Sequence, residues 1–255
     1  MPRTTWEADS LVKRKSEQAA EYKQSFLRQA VCEFRFPTLM ELGGKHPPAV
    51  FVAALRRDYP HLEIGDEVAL DLAGESGCNN THIFRSTELS WTVSLKLNSF
   101  SIETTKYTNH DEMRARVLRV VEAAAKIIDA DFFTRVGLRY VNVIDSGAED
   151  PVEGWVNSEL TGPLLSARFQ GIQDYASRLQ LAAPDGGCLI QHGLRLAEGI
   201  QVPPTYIVDV DAFRTGVAIA DTSDVFEAMH QQASEVFDWA LGESARKYLS
   251  VNQGS

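Results

Sequence analysis

Apolar side chains recur along this chain at two spacings, and the switches between them mark the elements. At the spacing of two, "AVCEFRFP" places Cys32, Phe34 and Phe36 on one strand face and Glu33 and Arg35 on the other, with Pro37 ending the strand. "LSWTVSLKL" alternates Trp91, Val93, Leu95 and Leu97 against Thr92, Ser94 and Lys96. "FSIETTKY" then returns through an Asn98-Ser99 turn as the second arm of a hairpin. "TRVGLRYVNVID" carries Val136, Leu138, Tyr140, Asn142 and Ile144 on one face and Arg135, Gly137, Arg139, Val141 and Val143 on the other. At the helical spacing, "PAVFVAALRRDYP" starts near Pro48 and stops at Pro60. Met113, Val117, Val120, Val121, Ala124, Ile127 and Ile128 form one stripe of a helix over 110–129, capped by Asn109 with Glu112 completing a capping box.

The second half repeats this style. A strand is expected in "LLSARFQGIQD". A hairpin follows in "ASRLQLAAP" and "CLIQHGLRL" around the turn "DGG", and then a strand in "PPTYIVDVDAF". Ser223 caps a last long helix whose stripe runs from Val225 and Phe226 to Ala240 and Leu241, and "ESARKYLSVNQGS" adds a turn. Residues 1–28 are charged and poor in apolar positions, which predicts an exposed helix or tail. Residues 61–80, with Gly65, Gly74 and Gly77, predict a loop with one short strand. Residues 146–163 are acidic and rich in glycine and proline, which marks a linker between a first half, 29–145, and a second, 164–255. Hairpins followed by one long helix in each half predict an α+β fold: antiparallel sheets covered by long amphipathic helices, in two similar halves. A helix lying across a curved sheet can leave a cavity, so a ligand-binding reading stays open.

Composition narrows the function classes. The 255 residues carry a formal charge of −10, which weakens attraction to phosphate backbones, and "KRK" at residues 13–15 is the only basic run. Nucleic-acid binding is therefore not expected. The three cysteines, Cys32, Cys78 and Cys188, are widely spaced and odd in number, which predicts a reducing, cytoplasmic setting without a disulfide framework. No apolar run approaches the roughly 20 residues of a spanning helix, so no membrane association is expected.

Taken in order, "EFRFP", a helix ending in "DYP", "FSIETTKY", "RVGLRYVNVID", "YIVDVDAF" and "FEAMHQQASEVFDWAL" resemble a sporadically distributed family of bacterial proteins that has no assigned function. The similarity runs from about residue 30 to residue 245. It implies a bacterial or phage-related source and an accessory role, and it carries no catalytic residue across.

Candidate chemistry is sparse. The six histidines lack His-x-x-x-His spacing, and there is no phosphate-cradling loop and no nucleophile elbow. His230 continues the apolar stripe of the last helix and reads as a core or helix–sheet hydrogen-bonding residue, or as a titratable group in a cavity. Asp209 and Asp211 project to one side of a strand, as two carboxylates sharing a divalent cation would. They support an alternative reading, a metal-dependent enzyme acting on a nucleotide or phosphorylated substrate. Arg135 and Arg139 stand on one strand face about 13 Å apart, flanking Gly137. With Glu33 and Arg35 they admit two accounts. One is cross-strand ion pairing, also involving Asp209 and Asp211. The other is a cleft for a carboxylate, a phosphate or an acidic partner, with Gly137 allowing close approach. The reading favoured by these residues is a non-enzymatic binding or regulatory protein without a cofactor. It would act through a protein partner, a small anionic ligand or a second copy of the chain.

Overall fold

The structure, a computed structural model, describes residues 6–13, 22–70, 76–145, 151–166, 168–172, 174–195 and 204–251. Arg14 and Lys15 of the basic run and residues 146–150 of the expected linker lie outside them. Nine strands and five α-helices follow in the order β1 (Leu27–Arg35), α1 (Ala49–Leu55), β2 (His61–Leu70), β3 (Ser76–Arg85), β4 (Trp91–Leu95), β5 (Ser99–Thr104), α2 (His110–Ala124), β6 (Phe132–Ile144), α3 (Ser158–Leu165), β7 (Asp174–Ala183), β8 (Gly186–Arg195), β9 (Thr205–Ala218), α4 (Thr222–Ala240) and α5 (Glu243–Ser250). The class is α+β. The strands hydrogen-bond in the order β2-β3-β4-β5-β1-β6-β9-β8-β7, an open sheet whose registered ladders are all antiparallel.

Packing divides the chain into two compact units. Unit I is Gln29–Leu138 with Phe213–Glu227; unit II is Met1–Arg28, Arg139–Ala212 and Ala228–Ser255. In unit I, alternate residues of β1 (Ala30, Cys32, Phe34) are buried while their neighbours are part-exposed, so this strand has a covered and an open face. The covered face is aromatic. Phe34 stacks on Phe100 at 4.7 Å and meets Phe133 at 5.0 Å, and the α2 stripe of Met113, Val117, Val120, Val121 and Ala124 is buried with them. Asn109 caps α2 through Glu112 N, as expected, but the Glu112 carboxylate turns to Thr108 and Arg116 and leaves the capping box half made.

In unit II, Tyr206, Val208 and Val210 of β9 are buried, and α3 lies beneath β7–β9, its Leu160 carbonyl accepting from the Tyr175 hydroxyl at 2.9 Å. A second cluster joins Phe26, stacked on Tyr248 at 5.4 Å, with Trp155 at 6.3 Å. The N-terminal stretch contributes here as well. Ala8 is fully buried, with its N–H on Asp185 and its carbonyl accepting from Gln232.

The structure differs from the sequence pattern in two stretches. Residues 158–165, split between the expected linker and the expected strand, form α3. Its N-terminus is satisfied by Asn157, which accepts from Glu159 N at 3.0 Å, and Leu160 packs inward. Residues 61–70 and 76–80 are strand: β2 and β3 pair from His61↔Arg85 to Leu70↔Ser76, a ladder that tolerates Gly65 and Gly77, while Gly74 lies outside the described residues.

Candidate ligand-binding site

β6 positions both arginines by simple alternation. Val136, Leu138 and Tyr140 are buried, which fixes the register and directs Arg135 and Arg139 to the open face. The two then take different partners. In unit I, Arg135 lies back over Gly137, where a Cβ would clash with its guanidinium, and stacks on Phe213 at 4.9 Å. Its Nη1 is 3.6 Å from Glu33 Oε1, the same oxygen that accepts from Arg35 Nε at 2.6 Å. Glu33, Arg35 and Arg135 therefore do come together. Gly137 makes room for this protein's own arginine.

In unit II, Arg139 donates from Nε and Nη2 to Oδ1 and Oδ2 of Asp209 at 2.8 and 2.6 Å, a side-on bidentate pair. Asp209 strengthens the hold of the guanidinium on its proton, pushing its pKa up. The exposures are unequal: the Asp209 side chain is 10 % exposed and that of Arg139 is 48 %. Arg139 thus commits one edge to a nearly buried carboxylate while about half of its side chain, 48 %, stays exposed. Asp209 also lines a cavity of about 450 Å³ on β7–β9, together with Asp174, Arg178, Gln191, Gly193 and Arg195. At Gly193 any Cβ would run into the Tyr175 carbonyl oxygen, so the close approach of β7 to β8 under this cavity requires glycine.

Arg178 and Arg195 line this cavity together with Asp174 and Asp209, and Asp209 is already paired with Arg139. His192, also at the lining, is buried to 7 % exposure with Nδ1 at 2.7 Å from the Tyr206 hydroxyl. Burial pushes the His192 pKa down and the Tyr206 pKa up, so both are neutral near pH 7.

Asp209 and Asp211 share a face, as the pattern predicted, but both Asp209 oxygens accept from Arg139. Among the described residues no three His, Cys, Asp or Glu side chains are grouped to hold a metal ion. His230 Nδ1 lies 3.0 Å from the Tyr140 hydroxyl, the helix–sheet hydrogen bond that its place on the stripe suggested. Cys32 and Cys188 are buried. No described helix is long and apolar enough to cross a membrane.

Arg178, Arg195 and Gly193 were not singled out from the sequence. The hairpin of "ASRLQLAAP" and "CLIQHGLRL" is expected from the pattern, and Asp174, Ala176 and Arg178 alternate to one face of its first arm, but the pattern does not give the register that sets Asp174 opposite Arg195 and Ala176 opposite Gly193. No protein-family model matches the chain, and no curated protein matches it.

Proposed function

We propose that the chain is a non-enzymatic binding protein that takes a small anionic ligand, a carboxylate or phosphate, in the β7–β9 cavity of unit II. The observation that carries this is the state of Arg139. It is anchored side-on by a nearly buried carboxylate, Asp209, which lines the cavity together with Arg178 and Arg195, and about half of its own side chain stays exposed, 48 %. A pre-oriented guanidinium loses little freedom when it meets an anion, which favours binding at modest contact area. Glu33, Arg35 and Arg135 are an internally satisfied cluster in this reading and brace unit I. The likeness of the ordered motifs to the sporadic bacterial family adds an accessory, regulatory role. The chain also reads as an internal duplication: strand, helix, meander and helix recur as β1-α1-(β2 to β5)-α2 and as β6-α3-(β7 to β9)-α4, with one strand more in the first pass.

Native mass spectrometry of gently purified protein tests the proposal, with phosphate and citrate titrations read by calorimetry. A stoichiometric small-anion mass, or saturable anion binding lost in Arg139→Met with Asp209→Asn, is expected. Clean unliganded mass together with no heat from either anion overturns it.

A further inference from the structure

β7 lies at one edge of the sheet and is ten residues long, with no proline and no glycine to blunt it. None of its side chains is buried, and no described residue hydrogen-bonds to the backbone edge facing away from β8. Leu179 is 45 % exposed. Leu165 and Phe169, on the helix and loop leading into the strand, are 42 and 61 % exposed, so apolar surface accompanies the open edge. Such an edge is a template for another strand, and its charges indicate which one.

β7 contains one acid, Asp174, and one base, Arg178, both exposed and both on the open face with Ala176 between them. Antiparallel pairing of β7 with itself about Ala176 sets Asp174 opposite the second copy's Arg178, and Arg178 opposite its Asp174. No other register of the strand on itself makes that match. The opposite edge strand, β2, has no lysine or arginine in its sequence, so no register of that strand on itself matches an acid to one of these bases. We infer that the chain forms a two-fold dimer by β7-to-β7 pairing about Ala176, extending the sheet through the interface. The interface is independent of any anion, although it brings a second Arg178 to the border of the β7–β9 cavity.

Sedimentation velocity of the full chain across a concentration series tests this. The expected result is a species of twice the chain mass. Asp174→Arg and Arg178→Asp should each weaken dimerisation by about tenfold or more, since each sets two like-charge pairs across the axis. The double exchange, Asp174→Arg with Arg178→Asp, should restore it. Far-UV circular dichroism confirms that each variant is folded. A wild-type monomer at every concentration, single reversals without effect, a double exchange that fails to rescue, or growth beyond the dimer would each overturn the inference.

Discussion

Arg116 in unit I and Arg139 in unit II are the same chemical unit, a guanidinium held by a carboxylate beside a cavity, and they are built for different work. Arg116 donates from both Nε and Nη2 to a single oxygen, Glu112 Oε1, at 3.0 and 2.9 Å. One face of its guanidinium lies over Trp91 at 4.5 Å, and the buried Tyr59 hydroxyl is beside it, with a pKa that burial pushes up and Arg116 pulls back. Cavities of about 380 and 540 Å³ both reach Arg116, yet the cations and carboxylates that line them are largely paired with each other: Arg116–Glu112, Arg119–Asp58 and Lys106–Glu88. Among the described residues no aromatic ring stacks on Arg139, and 48 % of its side chain stays exposed. Cavity volume alone would rank the two sites together. The separation comes from how many faces and donors of the arginine are already committed.

The largest break in that contrast is expected at Gly193→Val. A side chain there must displace the β7 backbone, so the substitution should cost about 3 kcal/mol or more and open β7–β8. Hydrogen exchange checks this: protection should fall in β7 and β8 of unit II while β4 and β5 of unit I hold theirs. Arg116→Ala comes next. It removes the cation over Trp91 and the partner of Glu112, a loss of about 1–3 kcal/mol in thermal or urea unfolding. Anion titration of the same variant should be unchanged. If Arg116→Ala abolishes anion binding and leaves stability intact, the roles of the two arginines are reversed.

How far the sequence carried these conclusions differs by element. Periodicity located α2 and its Asn109 cap, the β4–β5 hairpin and the face of β6, because each is written in consecutive residues whose burial alternates locally. It missed α3, where Gly162 and Pro163 fall between Leu160 and Leu164 and whose cap, Asn157, sits in an acidic loop, and it under-read β2 and β3, where glycines mask the pattern. The arginines of β6 were visible, but their partners were not. Phe213 and Asp209 lie about 70 or more residues away, and only the ladder brings them alongside. That Glu33 would satisfy two arginines while Asp209 would hold one depends on which strands adjoin, and no single strand encodes its neighbour.

A finer test separates binding from stability within unit II. Arg139→Met alone leaves the nearly buried Asp209 carboxylate without its bidentate partner, so it should lose both anion affinity and about 1–2 kcal/mol of stability. Adding Asp209→Asn removes the stranded charge. The double variant should recover most of the stability, to within about 1 kcal/mol of wild type by denaturant titration, and still bind phosphate at least tenfold more weakly. Recovery of binding along with stability would make Arg139 a structural brace like Arg116.

The smallest expected effect is in pH, and it compares the two units through one buried histidine each. His82 in unit I is fully buried, with Nε2 at 3.2 Å from the Leu42 carbonyl and no partner at Nδ1, and burial pushes its pKa below the usual histidine value. His192 in unit II is shifted in the same direction for the same reason. A histidine depressed in the folded state binds its proton more weakly there than in the unfolded chain. As pH falls below about 6.5 the unfolded chain gains protons first, and stability declines until the folded-state pKa is passed. Both histidines therefore make the protein less stable at pH 5.5 than at pH 7.5. The loss should be greater at His82, because a proton on its Nδ1 meets no acceptor, whereas the N–H of a protonated His192 Nδ1 can donate to the Tyr206 hydroxyl oxygen at 2.7 Å. Melting temperatures of His82→Gln and His192→Gln from pH 7.5 to 5.5 decide the order. His82→Gln keeps a donor for the Leu42 carbonyl and should flatten the pH slope more than His192→Gln. The reverse order would mean that the Tyr206 hydroxyl does not relieve the buried charge in unit II.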